Sequence, residues 1–79
     1  MIVAGIDVGA KNVHAVVIDE GWVVAKVAVA SGFDQEESAE RGLQEAAKAA
    51  GVDRSAIQVV AATGAGRKAL TFASQQPLK

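Results

Sequence analysis

The sequence predicts an α/β domain with the element order β-β-β-α-β-α. Three observations lead there. Met1 to Ile18, MIVAGIDVGAKNVHAVVI, holds two strand-sized apolar runs joined by a short turn around Asp7 and Gly9. After Asp34 the apolar spacing lengthens from a strand period to a helical one. A further apolar run, IQVVAA, follows that helix, and such a connection makes a right-handed crossover to a strand parallel to an earlier one.

Ile2 to Ile6 is apolar at successive positions, as in a central strand buried on both faces. Asp7 ends that run, because a carboxylate inside a buried strand is costly and belongs at the exposed strand end. Gly9 admits positive φ or close approach of another group to the backbone. Ala10, Lys11 and Asn12 form the turn, and Val13 to Ile18 the second strand. Asp19-Glu20-Gly21 is a second turn. Trp22 to Ala30, WVVAKVAVA, roughly alternates about Lys26 and reads as an outer or edge strand. These three strands make an antiparallel meander.

Asp34 suits a helix N-cap, with Glu37 three residues on and acids facing the positive end of the helix dipole. Ala39, Leu43, Ala46, Ala47 and Ala50 recur at helical spacing as one apolar stripe. Its small side chains allow the helix to lie close to the sheet. Gly51 is a C′ stop. Val52 to Ser55 connect to the fourth strand, Ile57 to Ala62. Thr63-Gly64-Ala65-Gly66 is a second glycine turn, and Arg67 to Gln76 opens a second helix.

Seventy-nine residues make one domain at most. A chain this short buries about 60% of its unfolded surface and is marginally stable. It has no cysteine, so no disulfide, zinc–thiolate site or protein-held iron–sulfur cluster can form on it, which fits a reducing compartment. The net charge is −1 with scattered basic residues, not the basic stripe of a nucleic-acid binder. Its apolar runs are too short to span a membrane, and Met1 to Ile6 lacks the features of a signal peptide. A cytoplasmic protein is expected. Nothing after residue 66 is long enough to complete a sheet, so the chain reads as a fragment or one half of a larger fold.

With strand four parallel to strand one, the Asp7–Gly9 and Thr63–Gly66 turns meet at one sheet edge. Open α/β sheets take ligands there. Asp7 can hold Mg²⁺ directly or through its waters, since magnesium uses one or two carboxylates plus phosphate oxygens. Gly9 lets the following backbone N–H groups form an anion-binding nest, and the Lys11 and Asn12 side chains add a charge and a donor. Thr63-Gly64-x-Gly66-Arg67 precedes a helix whose free N–H groups face the same cleft, and Arg67 suits a bidentate phosphate contact.

Plainer readings stand beside these. The first turn is also compatible with an ordinary hairpin carrying a solvated Asp, and the second with glycines needed only for geometry. Gly64 to Ala69 matches the dinucleotide pattern G-x-G-x-x-A, whose partner acid about 20 residues on falls past Lys79. His14 reads as a satisfied or exposed side chain close to the turn, Trp22 as packing or edge cover, and Glu36, Glu37 and Glu40 as a solvated helix face.

GIDVGAKNVHAVVID followed by ATGAGR resembles the opening part of the BadF/BadG-type ATPases, the activators of 2-hydroxyacyl-CoA dehydratases and ATPase subunits of benzoyl-CoA reductases. The resemblance implies a ribonuclease-H-like half-domain of the actin, Hsp70 and sugar-kinase superfamily. It implies ATP or ADP with Mg²⁺ as cofactors, Asp7 at the metal, and Gly9, Ala10, Lys11 and Asn12 in the first phosphate loop. Thr63, Gly64, Gly66 and Arg67 would line the same cleft. Family members often carry a hydroxyl residue after D-x-G. Here Ala10 and Lys11 stand there, so Lys11 or backbone N–H groups take over that contact. The implied partners are a second copy or the rest of a larger ATPase, and a CoA-ester dehydratase or reductase that receives electrons driven by ATP hydrolysis. A 4Fe-4S cluster would sit on cysteines of a full-length parent.

Two other classes fit parts of the pattern. A ribonuclease-H-like nuclease or DEDD-type transposase shares the G-I-D-V strand, but two-metal cleavage needs further carboxylates, and strand four offers Val60, Ala61 and Ala62. A non-catalytic module would dimerise through the third strand's free edge.

Overall fold

The computed structural model describes residues 1–64. Its elements are β1 (Ile2–Val8), β2 (Asn12–Asp19), β3 (Trp22–Ala30), α1 (Gln35–Ala50), a single 3-10 turn (Arg54–Ala56) and β4 (Val59–Thr63). The sheet order is β3-β2-β1-β4. β1–β2 and β2–β3 are antiparallel, and β1–β4 is parallel. The meander, the crossover helix and the parallel fourth strand are those the sequence predicts. The second helix, Arg67 to Gln76, lies outside the described residues.

Strand boundaries move by a residue or two. β1 runs on through Asp7 to Val8, Asn12 begins β2, and Thr63 ends β4 instead of opening the turn. Ile57 precedes β4, and the connector before it contains the 3-10 turn. Ile57 is nonetheless buried, so its apolar character marks core and not strand. The Gln58 N–H donates to the Ile2 carbonyl at 2.8 Å, which sets the register of β4 on β1.

β1 corrects one expectation. It is central by pairing yet buried on one face alone. Ala4, Ile6 and Val8 lie in the core, whereas Val3 and Gly5 are half-buried and Asp7 is exposed. The single described helix covers one side of the sheet. On the other side Met1, Val3, Gly5, Ile18, Val59 and Ala61 line an open apolar groove of about 360 Å³. β3 is an edge strand as expected, but its alternation breaks near its start. A bulge at Val17/Ile18 shifts the register, leaving Trp22, Val23 and Val24 all exposed. Glu20 and Gly21 both take positive φ in the β2–β3 turn, the primed geometry that matches strand twist.

Helix α1 is fixed at both ends. The Asp34 carboxylate accepts from the Glu37 N–H at 3.1 Å. Gly51 sits at φ 74, and its N–H and that of Val52 cap the last turn. The alanine stripe is buried as predicted, and Gly42 adds the closest approach to the sheet. A Cβ there would lie 3.2 Å from Val13 Cγ1 and 3.5 Å from Val29 Cγ2. Glu40 is no mere solvated acid: Arg54 grips both its oxygens, at 2.7 and 3.1 Å, tying the 3-10 turn to the helix.

Among the described residues, Leu43 is the largest fully buried side chain of this one-sided core, mostly of alanines and valines. Leu43→Ala removes its transfer free energy and leaves a void that small neighbours cannot refill. It should cost about 3 kcal/mol, within the usual range for such truncations. A urea titration checks this, and a loss below about 1 kcal/mol would mean that the helix does not seat on the sheet as described.

Candidate functional site

Parallel pairing brings the two glycine turns to one end of the sheet. Asp7 on β1 pairs with Thr63 on β4, and across the antiparallel register it pairs with His14 on β2. Thr63, Asp7 and His14 therefore form one row across three strands. Their chain neighbours Ile6, Val8, Val13, Ala15 and Ala62 are buried in the core, so the row lies on the opposite face. Facing side chains in such a row have Cβ atoms about 5 Å apart. Asp7 and His14 are exposed and Thr63 is half-buried. His14 thus stands beside Asp7, in keeping with its closeness to the turn in the sequence.

The β1–β2 turn is tight. The Gly9 N–H donates to the Asn12 carbonyl at 3.0 Å. A Cβ on Gly9 would lie 2.9 Å from that same oxygen, so glycine serves close approach here and not positive φ. The bond consumes the Gly9 N–H and leaves those of Ala10, Lys11 and Asn12 as the candidate anion donors, with all three residues exposed. The Lys11 and Asn12 side chains share that exposed tip.

The second turn begins at Gly64, φ +96. A Cβ there would fall 2.5 Å from Asp7 Oδ1, 2.5 Å from the Val8 carbonyl oxygen and 2.8 Å from the Val8 nitrogen. Gly64 is therefore demanded twice, by its backbone angle and by the Asp7 carboxylate lying against it. Its glycine is explained by the acid on the other turn, a link that spacing alone does not reveal. Gly66 and Arg67 lie outside the described residues.

Ser31 was missed by sequence reasoning. It follows β3, with its hydroxyl donating to the Gly9 carbonyl at 2.9 Å and its N–H to the Lys11 carbonyl at 2.9 Å. A serine after a strand carries no local signal of a partner twenty-two residues back.

Among the described residues no group of three His, Cys, Asp or Glu side chains is gathered that could hold an ion by itself. A single exposed carboxylate beside an N–H-rich turn instead suits Mg²⁺ held mainly by phosphate oxygens and water. Two-metal cleavage has no such support, because Ala61, which shares the Thr63 face of β4, stands where a further acid is needed.

No family model matches the chain, and no curated protein does. Solved structures do. The activator of the 2-hydroxyisocaproyl-CoA dehydratase from Clostridium difficile with bound ADPNP matches at TM-score 0.81 and 26% identity, over 96% of this chain and 28% of that one. The (R)-2-hydroxyglutaryl-CoA dehydratase component A from Acidaminococcus fermentans matches at TM-score 0.83 and 26% identity, over 99% of this chain and 30% of that one. An ROK hexokinase from Thermus thermophilus matches at TM-score 0.68 and 24% identity, over 81% of this chain and 22% of that one, and speaks for the fold alone. The chain thus has the ribonuclease-H-like sheet of actin- and sugar-kinase-like ATPases, and spans less than a third of the length of the structures it matches.

Gly64→Ala should cost about 2–3 kcal/mol, combining the positive-φ penalty with a clash against the Val8 backbone and the Asp7 carboxylate. Gly51→Ala, at a similar φ with nothing within 4 Å, should cost only about 1 kcal/mol. Urea denaturation of both variants makes the comparison. Equal losses would show that the packing of Gly64 against Val8 and Asp7 is slack.

Proposed function

We propose that this chain, which resembles the BadF/BadG-type activator ATPases over its whole length, is the nucleotide-binding lobe of such an ATPase. The observation that carries the reading is the Asp7–Thr63 pairing, which sets an acid and two glycine turns at one sheet edge. Asp7 would hold Mg²⁺ directly or through water. Bound there, the ion neutralises charge on the nucleotide's phosphate oxygens. Gly9 shapes the first turn, and the N–H groups of Ala10, Lys11 and Asn12 together with the Lys11 ammonium receive the phosphates. Thr63 and Gly64 form the facing wall. Gly66 and Arg67 belong to the proposal through the T-G-x-G-R motif alone.

The described groups of this set all lie at one end of the sheet. Hydrolysis also needs a group that orients water in line with the γ-phosphate, and none of the assigned residues supplies that role. The 79-residue chain should therefore bind nucleotide without turning it over. In a longer protein the lobe would serve ATP-driven electron transfer to a CoA-ester dehydratase or reductase. Any iron–sulfur cluster would rest on residues outside this cysteine-free chain. No described helix is long and apolar enough to cross a membrane.

Calorimetric titration of the chain with Mg·ADP tests the site. Asp7→Ala should lower affinity at least tenfold, and phosphate release from Mg·ATP should stay at the uncatalysed level. Unchanged affinity would remove Asp7 from the site, and measurable turnover would overturn the single-lobe reading.

A further inference from the structure

We propose that Ser31 is a positioning residue that aims the backbone donors of the β1–β2 turn at a nucleotide phosphate. This deepens the nucleotide reading above and rests on it.

The argument starts from the planarity of the peptide group. In a trans peptide the C=O and the following N–H point in opposite directions within one plane. Fixing the oxygen therefore fixes the direction of the hydrogen. The Ser31 hydroxyl holds the Gly9 oxygen at 2.9 Å, so the Ala10 N–H is turned away from Ser31. The Ser31 N–H holds the Lys11 oxygen at 2.9 Å, so the Asn12 N–H is turned away too. One residue grips two of the turn's peptide planes and sets two of its three candidate donors. The Gly9 N–H, engaged with the Asn12 oxygen, locks the base of the same turn.

Ser31 is itself held. The neighbouring Gly32 N–H donates to Ser38 Oγ at 2.7 Å, and that hydroxyl donates to the Asp34 carbonyl at 2.9 Å. Ser38 is fully buried in the first turns of α1. Arg41, from the next turn of the helix, donates to the Ala30 carbonyl at 3.0 Å. The segment carrying Ser31 is thus braced against the helix on both sides, and a braced donor can orient an exposed tip. A phosphate nest depends on such prior alignment, since aligned N–H groups need no reorganisation on binding.

The two Ser31 bonds are separable by mutation. Ser31→Ala deletes the hydroxyl bond and leaves the backbone bond, whereas Ser31→Thr keeps both. In the 79-residue chain, the NMR order parameter of the Ala10 N–H should fall in Ser31→Ala and stay at the parent level in Ser31→Thr. Mg·ADP affinity, measured by titration, should fall about fivefold in Ser31→Ala and recover in Ser31→Thr, as expected for one hydrogen bond. If Ser31→Ala loosens the Ala10 N–H but binds Mg·ADP as tightly as the parent, while Asp7→Ala binds weakly, the positioning role is overturned and the nucleotide site stands. If the Ala10 order parameter is unchanged, the clamp itself is refuted. If the parent chain does not bind Mg·ADP at all, the nucleotide reading fails and the positioning role fails with it.

Discussion

The parallel pairing of β4 on β1 is the constraint on which the molecule's organisation depends. Antiparallel neighbours are joined by turns of a few residues and need no help. A parallel neighbour needs a crossover, here α1 and the 3-10 turn, and every joint of that crossover is secured. Asp34 starts the helix, Gly51 stops it, and Arg54 reaches back to Glu40. The Gln58–Ile2 bond then fixes the register. A slip of one residue would turn Val60 and Ala62 out of the core and take Thr63 and Gly64 away from Asp7.

The crossover in turn depends on small side chains. Gly42 over Val13 and Val29, with Ala39, Ala46 and Ala47 around it, lets α1 lie close to the sheet and leaves Leu43 to fill the centre. Close approach also explains Ser38. A hydroxyl fully buried at the helix start would be costly without partners, and it has two: it receives the Gly32 N–H and gives its own proton to the Asp34 carbonyl. One buried polar group thereby connects the packing of the helix to the segment that holds the first turn.

Much of this was legible in the sequence because it is local. Asp34 and Gly51 act within a turn of their own positions, and the strand and helix periods separate cleanly at Asp34. Asp7 and Gly9 also announce their turn within a few residues. What stayed hidden depends on partners far along the chain. Nothing around Ser31 indicates that it bonds Gly9 and Lys11, and nothing around Gly64 indicates that Asp7 forbids it a Cβ. The continuous apolar run Ile2–Ile6 misled for a related reason. Hydrophobicity reports that a face is apolar, not that something described covers it, and the groove beside Val3 and Val59 is open.

Asp7 and Gly64 also come from opposite ends of the described chain, which gives their contact a kinetic meaning. The meander closes short loops, whereas β4 closes nearly the whole described length, and long closures carry the larger entropic cost and the slower search. The row Thr63–Asp7–His14 is therefore complete only when the last strand docks. Assembly of the sheet and assembly of the site are one event, and any ligand that grips both turns acts on the folding equilibrium itself.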